Sequence, residues 1–516
     1  MNERTVLRFL VLVTIVTRLA LALRPETQLT QRLYQEDAFY TLNCAYHLAH
    51  GHGFSVDGIR PTNGVQPLIV VFYAACFAIA GEDKWLAIRL TFIWVAVFES
   101  CCVLLLYKLL TPKNHRKKAI SLSPGIIGAF LWTFVFSNLI YNAIGLETGM
   151  YAMMILWVIY KYAALQQQDR EGTPARTSEL ILFGVVLGLL ILCRIDAVFI
   201  TAGLVLYPLL ANNEKRLNRT GLEIGVWLLT AIIVSSPWWI YNYAVFGSLM
   251  PISGRAESLG MSLADNLFGS ITALASIIAT VVYLYKETIP VPLIIVLDVV
   301  VLWVFFRMLK RHSIIQYLAQ RTERAVLMPL LLAGIFFVVY YTFFFNAHHF
   351  IDRYFQPLRV LGVLFWSLTI PYLIKERSLL SQRSSKILAA LLIVSAVVFN
   401  AAHYIYNFTI TKTNPLYTSG RWAQSHPEYI IGMTSSGIAE FLAGNVTNLD
   451  GKVNYEALQA RLHDSLGAYV IHKNISVLID WPENAEPIIS QAAHLGVRFR
   501  KIDSIQTAYI YKREDI

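Results

Sequence analysis

Glu36 and Asp37 stand side by side at the start of an amphipathic stretch that runs on to His50. Two adjacent carboxylates beside a membrane can do acid–base work, because a low-dielectric neighbourhood raises a carboxyl pKa and poises it as a general base. The ordinary role of such a pair is to complement the dipole of a helix N-terminus, and position alone favours that role. Beyond it come Gly51-His52-Gly53-Phe54 and Pro61-Thr62-Asn63-Gly64-Val65-Gln66-Pro67-Leu68, which in isolation read as turns.

Four further polar clusters follow the same pattern. They are Asn142 to Thr148 with Glu147, the tripeptide Arg194-Ile195-Asp196, the run from Asn242 to Arg255, and Asn346 to Tyr354 with His348, His349 and Arg353. Each stands at the end of an apolar run, where charge is costly unless it is paired or faces a cavity. Any one alone reads as an anchor. Their convergence carries the argument, since acids in one loop and cations in three others at one membrane depth could hold a lipid-linked phosphate. Adjacent histidines on a helix point apart, so His348-His349 argue little for a metal.

The elements that must position these groups are membrane spans. Of the 516 residues, 56% are hydrophobic and 15% charged, against about 25% charged in soluble domains. Apolar runs near the roughly 20 residues a span needs are Val6–Leu23, Leu86–Leu110, Ile126–Tyr141, Thr148–Leu165, Leu222–Tyr243, Val291–Leu309, Ala325–Phe345, Leu358–Ile374 and Ile387–Ile405. The formal charge of +10 lies in short loops between them. That is the positive-inside bias and not a nucleic-acid surface. Ala20-Leu21-Ala22 imitates a signal-peptidase site, but Arg8 and Arg18 and the length of the run mark a retained first span.

Charge bookkeeping sets the topology. Counting Gln66–Ala80 as a span would put Lys113 to Lys118 outside, and counting Asn266–Tyr285 would do the same to the basic stretch from Arg307 to Arg324. Both are therefore assigned to the outer membrane surface. Leu180–Cys193 and Ala197–Leu210 then form a tight hairpin with Arg194-Ile195-Asp196 at its outer tip. The expected protein is polytopic and α-helical, with about 11 transmembrane helices over residues 1–412 and outer helices at 38–50, 66–80 and 266–285. Its N-terminus is cytoplasmic. Residues 413–516 alternate short apolar runs with helical stretches and read as a soluble α/β domain outside the membrane. The five cysteines show no CxxC spacing, so neither a disulfide framework nor a zinc site is implied.

These strings resemble the GT-C superfamily of membrane glycosyltransferases, which use polyprenyl-phosphate-linked sugars. The first outer loop of that superfamily begins with an acidic pair, here Glu36-Asp37, and continues through helices lying along the membrane. Within it the chain is similar to bacterial arabinofuranosyltransferase-like proteins, the mycobacterial terminal group included. The strings that carry the similarity are DAFYTLNCAYHLAHGHGFSVDGIRPTNGVQPL, NAIGLET, CRIDA, NYAVFGSLMPISG and TNLDGKVN, spread over residues 36–454. The chain departs from the family pattern with Glu36 in place of a first Asp, Gln66 in place of His, and Ile195 in place of Pro. Gln66 argues against proton transfer at that position.

The resemblance implies transfer of a sugar, arabinofuranose in that group, from a polyprenyl-phosphate donor to a hydroxyl of a glycan, lipid or protein acceptor, at the outer face of a bacterial inner membrane. The lipid-linked sugar is then a substrate and no cofactor is expected, though a divalent metal stays open. A phosphate leaves without a general acid if fixed cations meet its charge, whereas the acceptor hydroxyl needs a base. Asp37 is assigned as that base with Glu36 assisting. Arg194, Arg255, His348 and Arg353 are the phosphate candidates, and Glu147, Asp196 and Asn63 orient them or bind sugar. The alternative is a flippase or transporter for lipid-linked sugars, which would place ionisable groups near the midplane. A non-catalytic receptor would leave the polar loops without a role.

Overall fold

A computed structural model of the chain describes residues 2–111, 123–134, 141–211, 217–260, 262–278, 321–346, 351–375 and 413–515, with seven isolated residues between 296 and 402. Five helices in it are long and apolar enough to cross a membrane: Glu3–Leu23, Lys84–Leu110, Thr148–Arg170, Thr220–Phe246 and Ala325–Phe343. Gln356–Lys375 is a further helix of 20 residues. Of the expected span Ile126–Tyr141, the helix Pro124–Phe134 is described. The expected spans Val291–Leu309 and Ile387–Ile405 lie almost wholly outside the described residues.

The first of the three helices expected on the outer surface runs over Glu36–Ala49, with both acids in its first turn. The second, Pro67–Ala80, starts on a proline whose missing N–H costs nothing there and stops at Gly81, whose φ of +61° favours glycine. Its 14 residues extend about 21 Å, short of the roughly 30 Å hydrocarbon core. The third is Leu263–Ile278, and the remainder of its expected range to residue 285 lies outside the described residues.

The expected tight hairpin is corrected. Thr177–Cys193 and Ala197–Ala211 do meet at Arg194-Ile195-Asp196, but the arms touch each other only slightly. The first packs along Leu217–Phe246 and the second along Arg321–Phe343. Small residues decide this. A Cβ on Gly188 would stand 2.7 Å from Val234 Cβ, and one on Gly184 2.6 Å from Thr230 Cβ, so this Gly-x-x-x-Gly face seats one helix on another. Charge also lies inside a span. Glu99 is fully buried in Lys84–Leu110, where it meets Arg18 at 3.4 Å and accepts from Asn142 at 2.8 Å. Asn142 in turn accepts from Gln356 at 2.9 Å. Inside a bilayer such a pair is tolerable only when satisfied in this way.

Residues 431–513 build a five-stranded mixed sheet. Its strands are β1 Ile431–Met433, β2 Val446–Asn448, β3 Val477–Asp480, β4 Phe499–Ile505 and β5 Ala508–Arg513, in the order β2-β1-β3-β5-β4. β1 pairs parallel with β2 and β3, while β5 runs antiparallel to β3 and β4. The sequence rhythm, with apolar runs at Tyr429–Met433, Ser476–Ile479 and Thr507–Tyr511 and helical stretches at Tyr455–Leu466 and Ala485–Leu495, overlaps β1, β3 and β5 and the helices Tyr455–Leu462 and Pro482–His494. It misses β2, β4 and the short helix Gly437–Ala443. That short helix docks onto Glu36–Ala49. Phe441 meets Phe39 edge to face at 5.3 Å and Trp85 at 5.6 Å, and Lys84 Nζ donates to Phe441 O at 2.9 Å.

Candidate active site

The ends of the membrane helices and one loop of the sheet unit enclose a cavity of about 320 Å³. Of the residues singled out from sequence, Asp37, Glu147, Arg194, Asp196 and Arg353 line it together. They come from four chain segments separated by up to 316 positions. Each stands where a helix begins or ends: Asp37 in the first turn of Glu36–Ala49, Glu147 before Thr148–Arg170, Arg194 after Thr177–Cys193, Arg353 in the short helix Ile351–Tyr354.

Arg194 organises the first ion cluster. Its Nε donates to both oxygens of Asp196 at 3.1 and 2.9 Å, and its Nη1 stands 3.3 Å from Glu147. Tyr341 and Tyr151 donate their hydroxyls to Asp196 at 2.6 and 3.0 Å. The Arg194 guanidinium lies 4.8 Å from the centre of the Tyr354 ring, which stacks on Tyr341 at 4.5 Å. A planar guanidinium suits this role, since it offers its donors in a fixed fork and stacks on aromatic faces.

Asp37 is the centre of the second cluster. Its Oδ2 accepts from Arg353 Nη1 at 3.1 Å, and its Oδ1 stands 3.7 Å from Lys452 Nζ. Lys452 also meets Glu257 at 2.6 Å. Burial pushes the Asp37 carboxyl up, but Lys452 and Arg353 together outweigh it and hold the group below its ordinary value. Arg353 bridges the two clusters through Tyr354, to whose hydroxyl it donates at 3.2 Å.

Three expected residues are placed differently, and a fourth lies outside the described residues. Glu36, one residue from Asp37, points away from the cavity into the sheet unit, where its two oxygens accept from the backbone N–H groups of Gly437 and Ile438. A step of about 100° around a helix separates neighbouring side chains, and that step parts the acidic pair. Burial, with Asp37 and Asp450 nearby, raises the Glu36 carboxyl to about 8 against the pull of its two backbone donors. Asn63 is fully buried behind the lining and accepts from the backbone of Ile252 at 2.9 Å, fastening the first outer loop to the fourth. Arg255 is not among the lining residues, although Ser253, Gly254 and Glu257 of the same short helix are. His348 lies outside the described residues. Among the described residues no three His, Cys, Asp or Glu side chains gather as a metal site.

Two lining groups escape the sequence reading, Glu257 and Lys452. Lys452 follows the Asp450-Gly451 turn within the TNLDGKVN string, to which the sequence assigns no site role. Gly451 has a φ of +78°, and Lys452 N donates to Asp450 Oδ1 at 2.8 Å. Tyr40 holds this loop from the membrane side, donating to Asp450 at 3.4 Å and accepting from Asn448 at 3.1 Å. Gly64 explains itself here too, since any side chain on it would collide with the Lys452 carbonyl.

The chain has the fold of ArnT from Cupriavidus metallidurans. It superposes on the apo crystal structure with a TM-score of 0.55 at 11% identity, covering 99% of this chain and 98% of that one. It superposes on the structure bound to undecaprenyl phosphate with a TM-score of 0.57 at 10% identity and the same coverage. No family model matches the sequence and no curated protein does. The likeness is therefore one of fold, and it extends over the sheet unit as well as the membrane helices.

Proposed function

We propose that the chain is a membrane glycosyltransferase of the GT-C type that takes a sugar from a polyprenyl-phosphate donor. The observation that carries this reading is the cavity itself, in which an ionised carboxylate and two arginines from distant loops meet. Two further points support it. One ArnT structure of the same fold holds undecaprenyl phosphate, and the apolar helices whose ends frame the cavity supply a bilayer for a lipid donor.

In this reading the acceptor hydroxyl oxygen attacks the anomeric carbon, forming the new glycosidic bond. Its proton passes to Asp37, and the bond from the anomeric carbon to the phosphate oxygen breaks. The bonding electrons leave on that oxygen as polyprenyl phosphate. Arg353 meets the charge that develops there, and Arg194 holds Glu147 and Asp196 at the sugar-facing wall. Fixed cations of this kind act on the transition state because charge grows on the leaving oxygen as the bond breaks. The sugar is arabinofuranose in the version that the sequence resemblance favours, and the site opens to the outer face of a bacterial inner membrane.

Purified protein in detergent or nanodiscs, incubated with a panel of labelled polyprenyl-phosphate sugars and candidate acceptors, tests the reading. Transfer of label from one donor supports it and identifies the sugar. Label that crosses liposomes without leaving the lipid would instead make the chain a flippase.

A further inference from the structure

Among the described residues, seven Asp, Glu, Lys and Arg side chains line the cavity, and the acids outnumber the cations. Asp37, Glu147, Asp196 and Glu257 face Arg194, Arg353 and Lys452. A leaving phosphate adds negative charge beside these acids, and a cation that turns from a carboxylate to the phosphate would meet it. Arg194 is badly suited, because Asp196, Glu147 and Tyr341 engage its guanidinium on all three nitrogens and it is buried. Lys452 is suited. Its ammonium sits on a flexible four-carbon stem and can turn its three donors to a new partner without loss of geometry. It is also more exposed than either arginine, at 23% against 11% for Arg353 and 3% for Arg194.

We propose that Lys452 is an exchangeable cation, which bridges Asp37 and Glu257 in the donor-free protein and passes to the phosphate when a polyprenyl-phosphate lipid enters. The inference rests on the glycosyltransferase reading and adds two consequences to it. The first concerns the base. While Lys452 and Arg353 both face Asp37, its carboxylate is a poor proton acceptor, and loss of one cation to the phosphate restores its basicity at the moment an acceptor must be deprotonated. The second concerns the sheet unit. Lys452 belongs to the loop after β2 and reaches the cavity only because Tyr40 and the Gly64 backbone seat that loop against the first outer loop. The sheet unit thereby completes the catalytic centre. The donor is a phosphodiester and the product a phosphomonoester, so Lys452 gains its second charge to work against as the sugar leaves.

A simple Lys452–Glu257 salt bridge and an exchangeable cation give opposite results for two variants. Full-length wild type, K452Q, K452R and E257Q are titrated with undecaprenyl phosphate in detergent, each with a thermal melt. The proposal expects K452Q to bind about tenfold more weakly, with K452R restoring most of the affinity. E257Q should bind about threefold more tightly, since it removes a competitor for the ammonium. The acidic limb of kcat/KM against pH, which reports the donor-free protein, should move to higher pH in K452Q, because Asp37 loses a cation there. A merely structural bridge would make K452Q and E257Q act in the same direction, or leave binding unchanged in both, and either result overturns the proposal. Wild type that neither binds the lipid nor transfers sugar defeats the glycosyltransferase reading itself, and the wild-type arm reports that separately.

Discussion

Arg194 and Arg353 face the same cavity, yet the groups around them are arranged in opposite ways. Around Arg194 the side chains of Glu147 and Asp196 are 7% and 4% exposed, and two tyrosines close the remaining acceptor sites of Asp196. Around Arg353 the partner acid Asp37 is 18% exposed, and so is Glu257 beyond it. The first cluster is saturated and buried, so it belongs to the scaffold as much as to the site. The second keeps ionic partners that can be exchanged, which is what a group that gains and loses a proton requires. Both clusters pair an arginine with acids, and their difference lies in burial, in the number of fixed partners and in the lysine that only the second contains.

Variants that break this contrast should differ first in stability. Arg194→Ala leaves two buried carboxylates without a cation, a change that costs about 3–5 kcal/mol, and thermal unfolding in detergent reads it directly. An unchanged melting temperature would show that the cluster is no part of the scaffold. Glu36→Ala comes next. It removes both acceptors from the N–H groups of Gly437 and Ile438, for about 1–3 kcal/mol, and the loss should appear as faster proteolysis of the sheet unit.

The Glu36 carboxyl also makes docking pH-dependent. Its folded value of about 8 lies above its ordinary 4.5, so the folded protein keeps a proton that the unfolded chain gives up. The stability from this group is complete below about 4.5 and falls away as pH rises toward 8. Proteolysis of the sheet unit should accelerate over that interval in wild type and vary much less in Glu36→Gln. The smallest effect belongs to Tyr341→Phe, which deletes the hydrogen bond to Asp196 and the longer one from Arg194 and keeps the ring stack on Tyr354, for about 1 kcal/mol. A loss as large as that of Arg194→Ala would mean that the tyrosine, and not the arginine, holds the cluster.

How much of this was legible in the sequence follows the distance between the partners. Span ends carrying Glu147, Arg194 and Arg353 could be read because hydropathy and loop charge fix which polar groups share a membrane depth. The short helix Pro67–Ala80 was readable for the same reason, being too short to span. The contrasting fates of Glu36 and Asp37 needed the docked sheet unit, since nothing local says which neighbour meets a backbone and which meets an arginine. Lys452 was illegible because its partners Asp37 and Glu257 lie hundreds of positions away in sequence. Asn63-Gly64 looked like an ordinary turn, and the reason for its residue types is Ile252 on one side and the Lys452 carbonyl on the other. Long-range docking, in short, selected among roles that local pattern left equal.

The central claim is that Asp37 does the proton chemistry while its surroundings merely hold it. Asp37→Asn keeps the size and much of the hydrogen bonding of the side chain and removes the base. Sugar transfer from a labelled polyprenyl-phosphate donor, measured beside undecaprenyl phosphate binding and a thermal melt, separates the two roles. The account predicts that transfer is lost in Asp37→Asn while lipid binding and folding persist. In wild type, kcat/KM for transfer should survive as pH falls through the ordinary carboxylate range, because in the donor-free protein the cations hold Asp37 below it. Transfer by Asp37→Asn at the wild-type rate would contradict the account.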